Sequence, residues 1–120
     1  MTGALTIQAR REGDYTIVTV AGEIDITTAA ELRTRLFELA ASGMPIVADM
    51  SQVSFIDSTG LGVLVGTVKR ATASGGFFHV VSDQPNIWQL AHLTGLDSQI
   101  PLVRTMGEAR QALELRTASP

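Results

Sequence analysis

The chain reads as one α/β domain, with a mixed sheet of about five strands flanked by about four α-helices. The sheet is expected to open with an antiparallel hairpin and to continue largely in parallel. Three observations predict this. Runs rich in apolar and β-branched residues alternate with segments whose apolar residues recur every three to four positions. The first two strand-like runs are separated only by a polar turn, whereas each later pair is separated by a helical pattern. Glycine and proline mark the boundaries, at Gly43 and Pro45, Gly75 and Gly76, Pro85, and Gly95. No linker or internal repeat interrupts the order, so a single domain over residues 1–120 is expected, with an ordered core over about 5–116.

Residues 5–9 alternate apolar and polar, 10–14 read as a turn, and 15–21 are rich in β-branched residues, which together predict a hairpin. Residues 22–25 end the second strand. Thr28 and Glu31 have capping-box spacing ahead of Ala29, Leu32, Leu36 and Leu39, which share one helical face, and Glu31 and Arg35 stand one turn apart in the favourable order. Residues 46–50 form a short apolar run suited to a buried strand. The next helix, ending near Ser74, carries Leu61, Leu64, Val65, Val68 and Ala71 on one face. Gly60, Gly62 and Gly66 each cost it roughly 1 kcal/mol relative to alanine, which implies close approach of its backbone to the sheet or to a partner. Residues 77–81 are the next strand. Pro85 then starts a short helix with Ile87, Leu90, Ala91 and Leu93 on its apolar side. Residues 100–103 are the last strand, and Thr105 with Glu108 repeats the capping-box spacing before a closing helix that buries Ala109, Ala112 and Leu113. The tail, 117–120, is expected to fray.

Composition narrows the function classes. With 45% apolar and 18% charged residues, the chain has material for a core. The formal net charge of -3 and the scattering of Lys and Arg supply no basic stripe, so no nucleic acid partner is expected. There is no cysteine, which removes disulfides and thiolate chemistry and fits a reducing compartment. There is no signal-type N-terminus, and no apolar run approaches the roughly 20 residues of a membrane span. The expectation is a soluble, cytoplasmic protein with no membrane partner.

The chemistry concentrates in residues 53–62, where the apolar run Val53-Ser54-Phe55-Ile56 breaks into Asp57-Ser58-Thr59-Gly60-Leu61-Gly62. Phe55 and Ile56 are expected to be buried, and the polar residues after them suit a helix start. Gly60-Leu61-Gly62 superficially suits a dinucleotide fingerprint. The third glycine would fall at Val65, however, and no G-x-x-x-x-G-K-[ST] loop is present. Ser58 would need a base to act as a nucleophile, and neither His79, on a strand, nor His92, on a helix, is brought to it by sequence. Asp25, Asp49 and Asp57 are too dispersed to argue a metal site. No catalytic residue, metal or cofactor is expected. A phosphate on Ser58 would bring about -1.5 to -2 charges to a helix N-terminus, which tolerates an anion, while a partner docked there would meet a bulky dianion beside Asp57. The alternative is that Ser58 or Asp57 only caps the helix.

The run from Asp49 to Gly62 resembles the signature of the STAS domain, specifically the stand-alone bacterial anti-sigma factor antagonists. Gly22-Glu23-Ile24-Asp25-Ile26-Thr27-Thr28-Ala29 is similar to that family's strand-to-helix segment, and Leu93-Thr94-Gly95-Leu96-Asp97 with Glu108-Ala109 to its C-terminal half. The resemblance covers residues 5–116. It implies the STAS fold and a switch in transcription regulation. The serine matching Ser58 is phosphorylated by an anti-sigma factor that is a serine kinase of the histidine-kinase-like ATPase fold, and a PP2C-type phosphatase removes the phosphate. The unphosphorylated form binds the anti-sigma factor and frees the sigma factor. The same resemblance places Asp25, Thr27 and Thr28 beside Asp57, Ser58 and Thr59 on the partner-binding surface, with Gly60, Leu61 and Gly62 admitting the partner. Thr59 is the alternative phosphorylation site. A nucleotide-binding or hydrolysing STAS-type domain, or a scaffold module of a stress-signalling complex, are the alternative functions.

Overall fold

A computed structural model describes residues 4–118, with side chains through 116. The elements follow the expected order: β1 (Thr6–Glu12), β2 (Tyr15–Ile24), α1 (Ala29–Ala41), β3 (Pro45–Ile56), α2 (Ser58–Ala73), β4 (Phe77–Val81), α3 (Pro85–Leu93), β5 (Leu102–Val103) and α4 (Met106–Ala118). A 3₁₀ turn, Leu96–Ser98, lies between α3 and β5. The strands lie in sequence order across one sheet, β1-β2-β3-β4-β5. β1 and β2 are antiparallel, and the remaining pairs are parallel.

The pleat sorts side chains into two cores. Val18, Val20, Ile46, Ala48, Met50, Phe78 and Val80 face α1 and α2, where they meet Leu32, Leu36, Leu61 and Leu64. Val47, Phe77 and Val81 point the other way and are covered by Ala109 and Leu113 of α4. Crossovers that keep one hand place α1 and α2 on the same side of the sheet.

Several boundaries depart from the sequence reading. β1 continues through Glu12, which pairs with Tyr15, so the turn is only Gly13 and Asp14 rather than 10–14. Gly13 has φ +63, a left-handed value that suits the first central position of a two-residue hairpin. β3 is 12 residues long and joins the apolar run at 46–50 to the one at 53–56. Its register against β2 shifts between Thr19 and Ala21, and the Asp49 carboxylate accepts from the Ser51 N–H and hydroxyl beside that irregularity. β5 is only two residues long, since Pro101 has no N–H to give the ladder. Phe55 is 44% exposed and Leu93 72% exposed, against the burial expected for both. α4 runs through Ala118, past the expected start of fraying, while Ser119 and Pro120 lie outside the described residues.

The two Thr-x-x-Glu spacings also diverge. At α4 the box closes nearly as expected. The Thr105 hydroxyl accepts from the Glu108 N–H at 3.1 Å, and the Glu108 carboxylate accepts from the Arg104 N–H at 3.0 Å. At α1 no capping bond forms, because the Thr28 hydroxyl donates to the Glu23 carbonyl at 2.9 Å and accepts from the Asp25 N–H at 3.0 Å.

The glycines of α2 have separate reasons. A Cβ on Gly60 would lie 2.6 Å from side-chain carbons of Ile24 and Ile56, and one on Gly66 would lie 2.9 Å from the Phe37 ring, whereas one on Gly62 meets nothing within 4 Å. Gly60→Ala is therefore expected to destabilise the protein by about 1–3 kcal/mol through overpacking, and Gly62→Ala to stabilise it by roughly 0.5–1 kcal/mol. Urea unfolding of the two variants checks both signs.

His79 sits on β4 under α4, with its ring stacked on Phe77 at 4.1 Å and its buried Nδ1 lacking a hydrogen-bond partner. Burial pushes its pKa below the ordinary histidine value of 6.5. The unfolded chain takes up a proton near that pH which the folded protein refuses, so stability falls as the pH drops through 6.5. Between pH 7 and 5, His79→Leu is expected to lose stability less steeply than the wild type in thermal unfolding; parallel slopes would refute this role.

Candidate functional site

Asp57 makes the junction on which the site is built. Its N–H donates to the Ile24 carbonyl at 3.1 Å, tying the end of β3 to the end of β2, and its own carbonyl accepts the first helical N–H, from Leu61, at 3.0 Å. Its backbone is extended, with φ -102 and ψ -175, and its side chain accepts from the Gly60 N–H at 3.0 Å. Asp57 is thus the N-cap of α2, and Ser58 and Thr59 are its first two helical residues. Both are exposed, and among the described residues no intramolecular hydrogen bond engages either hydroxyl.

The parallel neighbour supplies the second half. Ile24 pairs with Ile56, so the residues that follow the two strands leave the sheet side by side. Asp25 holds this loop. Its carboxylate accepts the Thr27 hydroxyl at 2.6 Å, the Thr27 N–H at 2.9 Å and the Thr28 N–H at 3.2 Å. The Thr27 hydroxyl first, and then these N–H groups, hold the Asp25 carboxyl below its ordinary value of 3.8. Asp25 and Asp57 therefore present negative charge on neighbouring loops.

The expected site residues separate into two groups. Asp25, Thr27 and Thr28 share the sheet end with Asp57, Ser58 and Thr59, and Gly62 is open to solvent on the next helical turn. Gly60 and Leu61 are buried against the core; Gly60 admits the helix to the sheet, and Leu61 packs inside. Neither histidine pairs with Ser58. His79 lies on the far side of the sheet under α4, and His92 pairs with Asp97 at 3.0 Å.

Two surface depressions flank the helix start and were not foreseen. One, of about 330 Å³, runs between the starts of α1 and α2 and includes Ile26, Ala30, Arg33, Phe37, Thr59 and Gly62. Ile26 is 76% exposed at its mouth. A lone apolar residue between Asp25 and two threonines was the sequence signal for it. The other, of about 350 Å³, lies between Phe55 and Ile56 of β3 and Asn86, Gln89, Leu90 and Leu93 of α3. Beyond Asp49, which pairs with Val81, β3 has outrun β4, and α3 takes the place of a neighbouring strand; Asn86 Nδ2 donates to the Ser54 carbonyl at 3.1 Å. No periodicity reports where one strand outlasts the next.

Strands in sequence order leave no topological switch point, the crevice where open α/β sheets take nucleotides. The fold and site define a compact mixed-sheet domain that presents a capped, polar helix start to its surroundings. The STAS domain family model matches residues 6–109, and the chain belongs to that family. It is 39% identical over 85 residues to the anti-sigma-B factor antagonist of Bacillus subtilis, covering 71% of this chain and 78% of that one. It is 33% identical over 93 residues to the anti-sigma-B factor antagonist of Staphylococcus epidermidis, covering 77% and 86% respectively. Among solved structures, an anti-sigma factor antagonist from Mycobacterium paratuberculosis superposes with a TM-score of 0.83 at 34% identity, covering 92% of this chain and 95% of that one. Among the described residues, no helix is long and apolar enough to cross a membrane.

Removing the cap should weaken the start of α2. Asp57→Ala is expected to cost about 1 kcal/mol, and Asp57→Asn only a few tenths, since asparagine also caps. Equal losses for the two in chemical denaturation would show that the carboxylate charge, rather than the cap, sets the effect.

Proposed function

We propose that this chain is an anti-sigma factor antagonist switched by phosphorylation at Ser58. The observation that carries the reading is the division of labour at the start of α2. Asp57 performs the capping, so the exposed Ser58 hydroxyl has no structural duty and can be modified without loss of the fold. The relatives' shared name, anti-sigma-B factor antagonist, supplies the class of partner.

In this reading the unphosphorylated chain binds a serine-kinase anti-sigma factor of the histidine-kinase-like ATPase fold and thereby frees the sigma factor. The kinase transfers the γ-phosphoryl group of ATP to Ser58 Oγ, whose proton is lost as ADP leaves. A PP2C-type phosphatase hydrolyses the ester and restores the binding form. The chain is substrate and ligand in this cycle, not catalyst, and it acts in the cytoplasm. A phosphate on the first helical residue is tolerated by the free N–H groups and positive end of α2. A partner closing over it would have to strip water from a dianion beside Asp57.

Thr59 is the second reading for the acceptor, favoured by its own exposure one residue further on. Its side chain lines the cleft with Arg33 and Phe37, whereas Ser58 lies outside both depressions. Ser58→Ala is expected to bind the cognate anti-sigma factor as tightly as wild type and to accept no phosphate when ATP is added. Intact-mass spectrometry showing an added phosphate on Ser58→Ala would move the acceptor to Thr59. Ser58→Asp, with a single charge, is expected to weaken binding only partly.

A further inference from the structure

The groove between β3 and α3 leaves apolar side chains open to solvent. Phe55 and Leu93, 44% and 72% exposed, stand on either side of it, and Ile56 and Leu90 form its floor. A single exposed apolar side chain is ordinary, but two large ones beside one groove form a continuous apolar surface of the kind found at contact sites. The groove continues directly from the site, because Ile56 precedes the capping residue Asp57 and packs against Gly60 on the first turn of α2.

Charge defines what fits there. Phe55 pairs in register with Glu23 across the strands, and Asp25 and Asp57 follow the paired residues Ile24 and Ile56, so three acidic residues stand at this end of the sheet. Among the described residues none of the three has an ion-pair partner. The opposite wall, Asn86 and Gln89, is uncharged. A surface of this kind suits an apolar side chain flanked by Lys or Arg.

We propose that the Phe55–Leu93 groove is a second docking subsite for the anti-sigma factor. It would take an apolar residue of that partner, with neighbouring cations against Glu23, Asp25 and Asp57. The proposal rests on the reading that this chain binds such a partner at Ser58. The subsite supplies affinity independent of the hydroxyl, so the partner grips the helix start from the α3 side while its active site reaches Ser58.

The test uses the full chain and the purified serine-kinase anti-sigma factor of the source organism, with Phe55→Ala, Leu93→Ala and Glu23→Lys. Truncating an anchor residue is expected to weaken binding roughly 10-fold or more in calorimetry, with little change in thermal midpoint for Leu93→Ala, which is 72% exposed, and a modest fall for Phe55→Ala, whose ring is in part covered. Glu23→Lys should weaken binding mainly at low salt. Ser58 phosphorylation should slow in the variants at limiting kinase and recover at saturating kinase, the pattern of lost docking rather than lost chemistry. Binding of both alanine variants within twofold of wild type would overturn the subsite and leave the Ser58 reading intact. Failure of the wild type to bind would overturn both. Concentration-dependent self-association of the wild type, abolished in Leu93→Ala, would assign the groove to a second copy of this chain and also overturn the proposal.

Discussion

The bonds of Asp57 are the constraint on which the rest of the site depends. One residue ends β3, joins it to β2 through Ile24, starts α2 with its carbonyl and caps α2 with its carboxylate. A helix start leaves several N–H groups without partners, and a serine, threonine, aspartate or asparagine side chain can satisfy one of them. Here the preceding acid does that work, and the serine and threonine that follow keep free hydroxyls at the surface. Gly60 completes the arrangement. Any side chain there would collide with Ile24 and Ile56, so only glycine lets the first turn lie against the sheet. The helix start is tied to the sheet while its two hydroxyls make no intramolecular bond among the described residues, which suits a modifiable surface.

The two Thr-x-x-Glu motifs show what local sequence can and cannot specify. Both have the spacing of a capping box, yet only the one at Thr105 places its hydroxyl on the third helical N–H. At Thr28 the same hydroxyl bridges Glu23 and Asp25, because the upstream acid has already folded the loop around its own carboxylate. A spacing rule counts residues but does not see competing partners, and the nearer partner wins. Element order, by contrast, was legible throughout, since alternation and helical periodicity record which face each residue buries.

The residues of the candidate site, read alone, left Asp25 and Asp57 dispersed, and only the family resemblance set them side by side. The structure brings them together because β2 and β3 are parallel neighbours that end at the same edge. Gly60, Gly62 and Gly66 carry the same propensity cost, yet one faces the sheet, one faces solvent and one faces Phe37. Sequence gives the cost and not the direction. Phe55 misled for a related reason: it sits where β3 extends beyond β4, so the neighbour that would bury it in a longer sheet is absent and α3 covers it only in part.

The position of Ser58 between two depressions bears on how a single phosphate could act as a switch. Moving a two-state equilibrium from 99:1 to 1:99 needs about 5.5 kcal/mol of differential binding. A unit charge 4 Å from another is worth only about 1 kcal/mol in water, and less once salt screens it, so a phosphate at the rim of an interface would modulate rather than switch. Desolvating an ion, in contrast, costs several kcal/mol. A phosphate on Ser58 would switch binding only if contact on both sides excluded water from it. Contacts reaching into the Ile26 cleft on one side and the Phe55 groove on the other would close over Ser58 and create that condition. The same closure is harmless to the unmodified hydroxyl, which is small, uncharged and able to share a hydrogen bond with whatever covers it.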